Sequence, residues 1–82
     1  MLKTEDFKFI EKEPSGWYWF SVNGESRQTI NETLREQGFI TVTEVGYNKE
    51  TNQLGIVKQY ICNQSCEFYE NNEVLKLIKE LI

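Results

Sequence analysis

The sequence predicts an α+β domain in which a mostly antiparallel sheet of four to five strands carries two helices on one face, in the order ββαββα. Three observations predict this fold. Short segments rich in β-branched and aromatic residues are separated by turn signals. Two segments carry helix start signals, and no repeat or flexible linker interrupts the 82 residues. We therefore expect residues 1–82 to form a single domain.

The first two predicted strands form a hairpin. Residues 7–12 have apolar side chains at Phe7 and Phe9 with charged side chains opposite, which indicates a half-buried strand in which Ile10 is the exception. Residues 13–16 read Glu-Pro-Ser-Gly, with proline and glycine at the positions that a type I turn favours. Residues 17–22 read Trp-Tyr-Trp-Phe-Ser-Val, and this aromatic and β-branched composition is typical of a strand. We expect the two segments to pair antiparallel.

The first helix is predicted after a second reversal of the chain. The Asn-Gly pair at 23–24 is a strong turn signal. Thr29 and Glu32 then fit a capping box, in which each side chain accepts a hydrogen bond from the other residue's backbone N–H. The pattern predicts a helix over about residues 30–37, which Gly38 ends in the left-handed conformation.

The next two strands should form a second hairpin. Residues 39–47 are rich in β-branched side chains, but their apolar side chains change face, so we expect a bulge near Glu44 or Gly46. The polar loop 48–53 connects this strand to a further strand over residues 54–62.

The chain ends in a predicted amphipathic helix. Residues 63–72 are the least regular stretch, and we expect Asn71 or Asn72 to cap the helix that follows. Its broad apolar face should supply much of the core, or in part a contact between two copies, so both a monomer and a homodimer through the C-terminal helix remain open. That face consists of Val74, Leu75, Leu77, Ile78, Leu81 and Ile82.

The composition excludes several kinds of chemistry. There is no histidine, which is the usual proton shuttle at neutral pH and the commonest metal ligand. Cys62 and Cys66 have no third cysteine beside them, so one chain cannot assemble a four-ligand structural zinc site. A disulfide between them would need a turn that brings their Cα atoms to about 5.5 Å. We therefore expect reduced thiols, no metal, no cofactor and no catalytic residues, which favours a protein that is not an enzyme.

The charge indicates the kind of partner. The formal net charge is −4, and the nine basic residues are scattered from Lys3 to Lys79. Proteins that bind DNA or RNA backbones instead concentrate lysine and arginine on one face. The charge argues against a nucleic-acid partner and favours a protein partner with a basic surface.

Location and origin can also be predicted from composition. No apolar run approaches the roughly 20 residues that span a bilayer, and residues 1–10 lack the apolar core of a secretory signal, so we expect a cytoplasmic protein without membrane contact. The chain has no alanine beside seven Asn, seven Lys and seven Ile. Such a bias indicates an AT-rich coding sequence of the kind frequent in phages and mobile elements, where some small acidic proteins inhibit host proteins.

The candidate binding residues are the four consecutive aromatics of the second strand. In a strand, alternate side chains point to opposite faces, so a sheet covered by helices on one side leaves one aromatic pair on the open side. Exposed aromatic side chains are enriched among the anchors of protein interfaces. The alternative is that both pairs pack within the protein. The four residues are Trp17, Tyr18, Trp19 and Phe20.

These observations lead to one functional hypothesis and one alternative. The main hypothesis is a small acidic binding module that docks on a protein partner and could inhibit or regulate it. The alternative is binding of single-stranded nucleic acid, in which bases stack on the aromatic face of the sheet. Lys8, Lys12 and Lys58 could then lie near the aromatic strand and contact the phosphates.

Overall fold

The computed structural model describes residues 1–35, 41–59 and 64–82. After a 3₁₀ turn at Thr4–Asp6, the described elements follow the order ββαβββα. They are β1 (Phe7–Lys12), β2 (Trp17–Val22), α1 (Gly24–Leu34), β3 (Thr41–Asn48), β4 (Gln53–Gln59), β5 (Gln64–Tyr69) and α2 (Asn72–Leu81). The α+β class and the antiparallel sheet with two helices are confirmed. The predicted order ββαββα is wrong by one strand, because a fifth strand precedes α2.

The five strands form one sheet in sequential order, and each strand is antiparallel to its neighbours. The first hairpin turns where the sequence predicted, since the Gly16 N–H donates to the Glu13 carbonyl at 3.0 Å. Gly16 has a φ of +101°, a conformation that favours glycine. β1 is irregular between Phe9 and Glu11, where its register with β2 shifts by one residue.

A bulge in β3 brings its apolar side chains onto one face. The register between β3 and β4 shifts between Val42 and Glu44, which confirms the predicted bulge. Because of this shift, Val42 joins Val45 and Tyr47 in the same buried cluster. Without the extra residue, Val42 would point away from the core.

The first helix begins earlier than the sequence predicted. The reversal at residues 23–24 leads directly into α1, whose first residue, Gly24, has a φ of +57°. The cap comes from a distant part of the chain, because the Asp6 carboxylate accepts the backbone N–H of Ser26 at 3.0 Å. Thr29 does not cap the helix; it lies within it, and its hydroxyl donates to the carbonyl of Glu25 at 3.0 Å. The capping-box interpretation is therefore wrong.

The fifth strand occupies the stretch that the sequence left irregular. Residues 64–69 pair with β4 along their whole length without a shift in register. Most of their side chains are exposed, so the apolar alternation that marks a half-buried strand is missing. Strand pairing with β4, not a local pattern, determines this element.

Both helices cover the same side of the sheet. Ile30 and Leu34 of α1 and Val74 and Ile78 of α2 belong to a single core cluster with side chains of the first four strands. Of the two predicted caps, Asn71 and Asn72, it is Asn71 that caps α2: its Oδ1 atom accepts the N–H groups of Glu73 and Val74 at 3.0 and 3.1 Å. No helix in the described ranges has the length and apolar character to cross a bilayer.

Three predictions concern residues outside the described ranges. They are the end of the first helix at Gly38, the strand positions 39–40 and 60–62, and the reduced state of Cys62. The predicted homodimer through α2 also stays a prediction. Within the monomer, Leu75 and Leu77 already pack against the core, while Leu81 and Ile82 remain exposed at the end of the chain.

Candidate functional site

The four consecutive aromatic residues of β2 divide between the two faces of the sheet. Phe20 is buried in the core cluster, and Tyr18 packs against that cluster. Trp17 and Trp19 point to the opposite side, which we call the open face. Of the four predicted binding residues, Tyr18 and Phe20 therefore pack on the helix side of the sheet, and Trp17 and Trp19 lie on the open face.

Three aromatic rings form a row on the open face. The rings of Trp17 and Trp19 stack with their centroids 5.5 Å apart and an angle of 18° between their planes. On β5, Phe68 stacks against Trp17 at 6.4 Å and 29°. We call these three side chains the aromatic row. Trp19 is only 9% exposed, whereas 71% of Phe68 is exposed, so Phe68 is the most accessible ring of the row.

Glycines in β3 and β4 let the indole rings lie flat against the sheet. A Cβ atom at Gly46 would lie 2.6 Å from Cζ3 of Trp19, a distance that no real contact allows. A Cβ atom at Gly55 would lie 3.3 Å from the same atom of Trp17. Glycine within a strand often marks such a close approach. These two positions therefore determine where the indole rings can lie.

Glu13 holds one end of the aromatic row. Its Oε1 atom accepts the indole N–H of Trp19 at 2.5 Å. Glu13 belongs to the turn between β1 and β2, where its carbonyl also accepts the N–H of Gly16. A buried indole needs such a partner, and a charged acceptor gives a strong hydrogen bond. The turn thus positions the most buried ring of the row.

The open face is acidic around the aromatic row. Burial raises the pKa of the Cys66 thiol above its ordinary value of 9.0, and the charges of Glu13, Glu44 and Glu67 raise it further. The thiol therefore stays protonated at neutral pH, which makes it a poor nucleophile. In the described part of the chain, no lysine or arginine forms an ion pair with Glu13 or Glu44.

Most of the basic residues predicted to lie near the aromatic strand are engaged elsewhere. Lys58 is only 2% exposed, and its Nζ atom lies 2.6 Å from Oε2 of Glu67. Lys12 lies over the ring of Tyr18, with Nζ 5.4 Å from the centroid, and this ring packs on the helix side. Lys8 pairs with Ser21, whose position in the register is on the open face. Of the three lysines, only Lys8 is therefore placed to meet a ligand there.

A shallow depression accompanies the aromatic row. It measures about 410 Å³ and is lined by Glu13 and Cys66 together with the three aromatic residues of the row. A larger depression, about 580 Å³, lies between the first five residues and α2, but its lining is a mixture of acidic, basic and aliphatic side chains without an aromatic ring. The first of these combines apolar rings with charge of one sign, which is the better basis for specific binding.

Two of the described binding features were not predicted from the sequence. Phe68 lies in the segment that was expected to be irregular, so its face could not be assigned. The signal that could have revealed the flat aromatic row is the pair Gly46 and Gly55, since each glycine stands inside a predicted strand. Among the described residues, no three cysteine, aspartate or glutamate side chains group together in a way that could hold a metal ion.

Comparison with protein-family models, with curated proteins and with solved structures finds no match for this chain.

Proposed function

We propose that this protein is a binding module that docks through its open face onto a basic surface of another protein. The observation that carries the proposal is the aromatic row of Trp19, Trp17 and Phe68, which lies on the face opposite the core cluster and ends in the exposed ring of Phe68. A domain of this size needs most of its apolar side chains for stability. A large ring that is mostly exposed is therefore more informative here than in a large protein.

The chemistry of the open face favours a cationic partner group. The aromatic row offers ring faces and edges, and the neighbouring carboxylates of Glu13 and Glu44 create a negative potential. An arginine side chain suits both features because its guanidinium group is planar, always charged, and stacks on aromatic rings. Cation–π contacts contribute about 0.5–1 kcal/mol at exposed sites and about 2 kcal/mol when water is excluded. Arginine is also enriched among interface anchors.

The alternative proposal, single-stranded nucleic acid, has less support. The exposed ring of Phe68 could stack a nucleic-acid base just as it could stack an arginine side chain. Nucleic-acid phosphates, however, need cations along the binding surface, and Lys12 and Lys58 are engaged on the helix side of the sheet.

Docking on a protein would suit a role as inhibitor or regulator of that partner, which is the class of activity that the composition suggested.

The experiment that tests the proposal is a titration followed by tryptophan fluorescence. The probes are hexa-arginine, hexa-lysine, hexa-glutamate and oligo-dT. We expect hexa-arginine to change the emission and to bind more tightly than hexa-lysine, because lysine lacks a planar group for stacking. Binding should weaken as salt is added, since the open-face carboxylates contribute to it.

Two substitutions distinguish binding at the aromatic row from nonspecific binding to any exposed aromatic side chain. Phe68→Ala should weaken hexa-arginine binding about tenfold, as expected for an anchor worth roughly 1.4 kcal/mol. Phe9→Ala is the matched control, because Phe9 is 58% exposed on β1 but pairs with Phe20 on the helix side. Equal binding by both variants would contradict the proposal. Quenching by oligo-dT that fades with salt, without a response to hexa-arginine, would support the nucleic-acid alternative.

A further inference from the structure

We propose that the partner of the open face binds as an extended basic segment that adds a sixth strand to the outer side of β5. This inference rests on the proposed function and specifies how the partner is held. Strand addition gives affinity through main-chain hydrogen bonds, and pockets for alternate side chains give specificity. The aromatic row ends at β5, so an added strand would place its side chains directly beside the row.

The two edges of the sheet differ in their protection. β1 carries an irregularity between Phe9 and Glu11 and two lysines, Lys8 and Lys12, which are features that block pairing with another chain. β5 pairs with β4 over six residues without any shift, and it contains neither lysine nor proline. No described strand pairs with the outer side of β5. Among the described strands, β5 is therefore the edge better suited to strand addition.

The side chains of β5 indicate which segment would fit. Phe68 and Cys66 alternate onto the open face, where Phe68 joins the aromatic row. A residue of the added strand opposite Phe68 would point to the same face and lie over or beside its ring. The carboxylates of Glu13 and Glu44 near Cys66 favour a positive charge at the next position on that face. Arginine at alternate positions of an extended segment satisfies both requirements.

A second copy of this chain is a poorer occupant of the same edge. Antiparallel pairing of two β5 strands about a two-fold axis would bring two copies of the acidic surface around Cys66 together. Like charges placed opposite each other across two strands are destabilising. Charge complementarity thus selects a basic segment over self-association.

The test uses a synthetic nine-residue peptide in which threonine and arginine alternate. Two methylated forms carry N-methyl groups on three threonine amides or on three arginine amides. In an extended strand these two sets of N–H groups point to opposite edges. Only one set can therefore donate to β5, so the two methylated peptides have the same composition and charge but differ in strand pairing.

Strand addition predicts a clear difference between the two forms. One methylated peptide should bind within about twofold of the unmethylated peptide, whereas the other should bind at least tenfold more weakly, since each main-chain hydrogen bond contributes about two- to tenfold. Hydrogen exchange of the backbone amides in β5 should slow when the unmethylated peptide saturates the protein.

Other results would overturn the inference in distinguishable ways. If the peptide binds but both methylated forms bind equally and the β5 amides keep their exchange rates, then docking uses side chains alone and only the proposed function stands. If the unmethylated peptide does not bind at all, both proposals fail. A concentration-dependent dimer in light scattering, with β5 amides already protected, would assign the edge to a second copy.

Discussion

Replacing Gly46 with alanine tests whether this glycine determines the position of the aromatic row. The added Cβ atom would lie 2.6, 2.7 and 2.9 Å from three ring atoms of Trp19. Gly46 does not have a positive φ, so alanine fits the backbone and only the ring must move. Moving the ring would disturb both its stack on Trp17 and its hydrogen bond to Glu13.

The expected loss follows from three contributions. Overpacking a well-fitted site costs about 1–3 kcal/mol. Disrupting the stacked aromatic pair costs about 0.5–1.5 kcal/mol more. Alanine recovers about 0.5–1 kcal/mol, because glycine loses more conformational entropy on folding. We expect Gly46→Ala to lower the free energy of unfolding by about 2 kcal/mol.

Gly55→Ala is the matched control for this substitution. Its Cβ atom would lie 3.3 and 3.4 Å from ring atoms of Trp17, so a shift of a few tenths of an ångström is enough to relieve the contact. The entropic gain of alanine then offsets most of the cost, and the free energy of unfolding should change by less than about 0.5 kcal/mol.

Urea unfolding followed by tryptophan fluorescence measures the difference between the two variants. With a slope of about 1 kcal/mol/M for a small domain, Gly46→Ala should lower the midpoint by about 2 M. Near-ultraviolet circular dichroism should show the loss of the signal from the stacked Trp17 and Trp19 rings. Equal midpoints for the two variants, or an unchanged aromatic signal in Gly46→Ala, would show that Gly46 does not determine the position of the Trp19 ring.

Two further predictions concern the helix caps. The N–H and hydroxyl of Ser26 hold the pKa of Asp6 below its ordinary 3.8, so its stabilising effect is present above that pH and is lost as the pH falls through the lower folded value. Asp6→Asn should therefore be less stable at pH 7 and lose less stability than the parent protein between pH 5 and 2, as measured by urea midpoints. Asn71→Ala should lower the free energy of unfolding by about 1 kcal/mol, because two N–H groups lose their acceptor. Asn72→Ala should have little effect, and equal losses would contradict the assignment of the cap.

The elements predicted correctly are those whose signals are local. The turn at residues 13–16, the bulge near Glu44 and the Asn71 cap each depend on residues a few positions apart. The alternation in β2 also correctly separated the tryptophans from Tyr18 and Phe20. For such features the sequence contains both partners of the interaction within one short window.

The errors occurred where the decisive partner is distant. The start of α1 depends on Asp6, which is 20 positions from Ser26, so the local Thr29 signal was misleading. β5 was not predicted because its side chains are mostly exposed and show no apolar alternation. Its extended conformation comes from main-chain pairing with β4. As a result, the face on which Phe68 lies could not be assigned.

The amino-acid sequence is enough to predict that two aromatic pairs point to opposite faces of one strand, because alternation is a property of the extended backbone. The acidic balance and the lack of histidine are also properties of the sequence alone. Which pair lies on the open face depends on the side that the helices cover, and this is a property of the tertiary structure. The aromatic row itself needs Gly46, Gly55 and Phe68, which come from three other strands. A surface built from four strands exists only once their register is fixed.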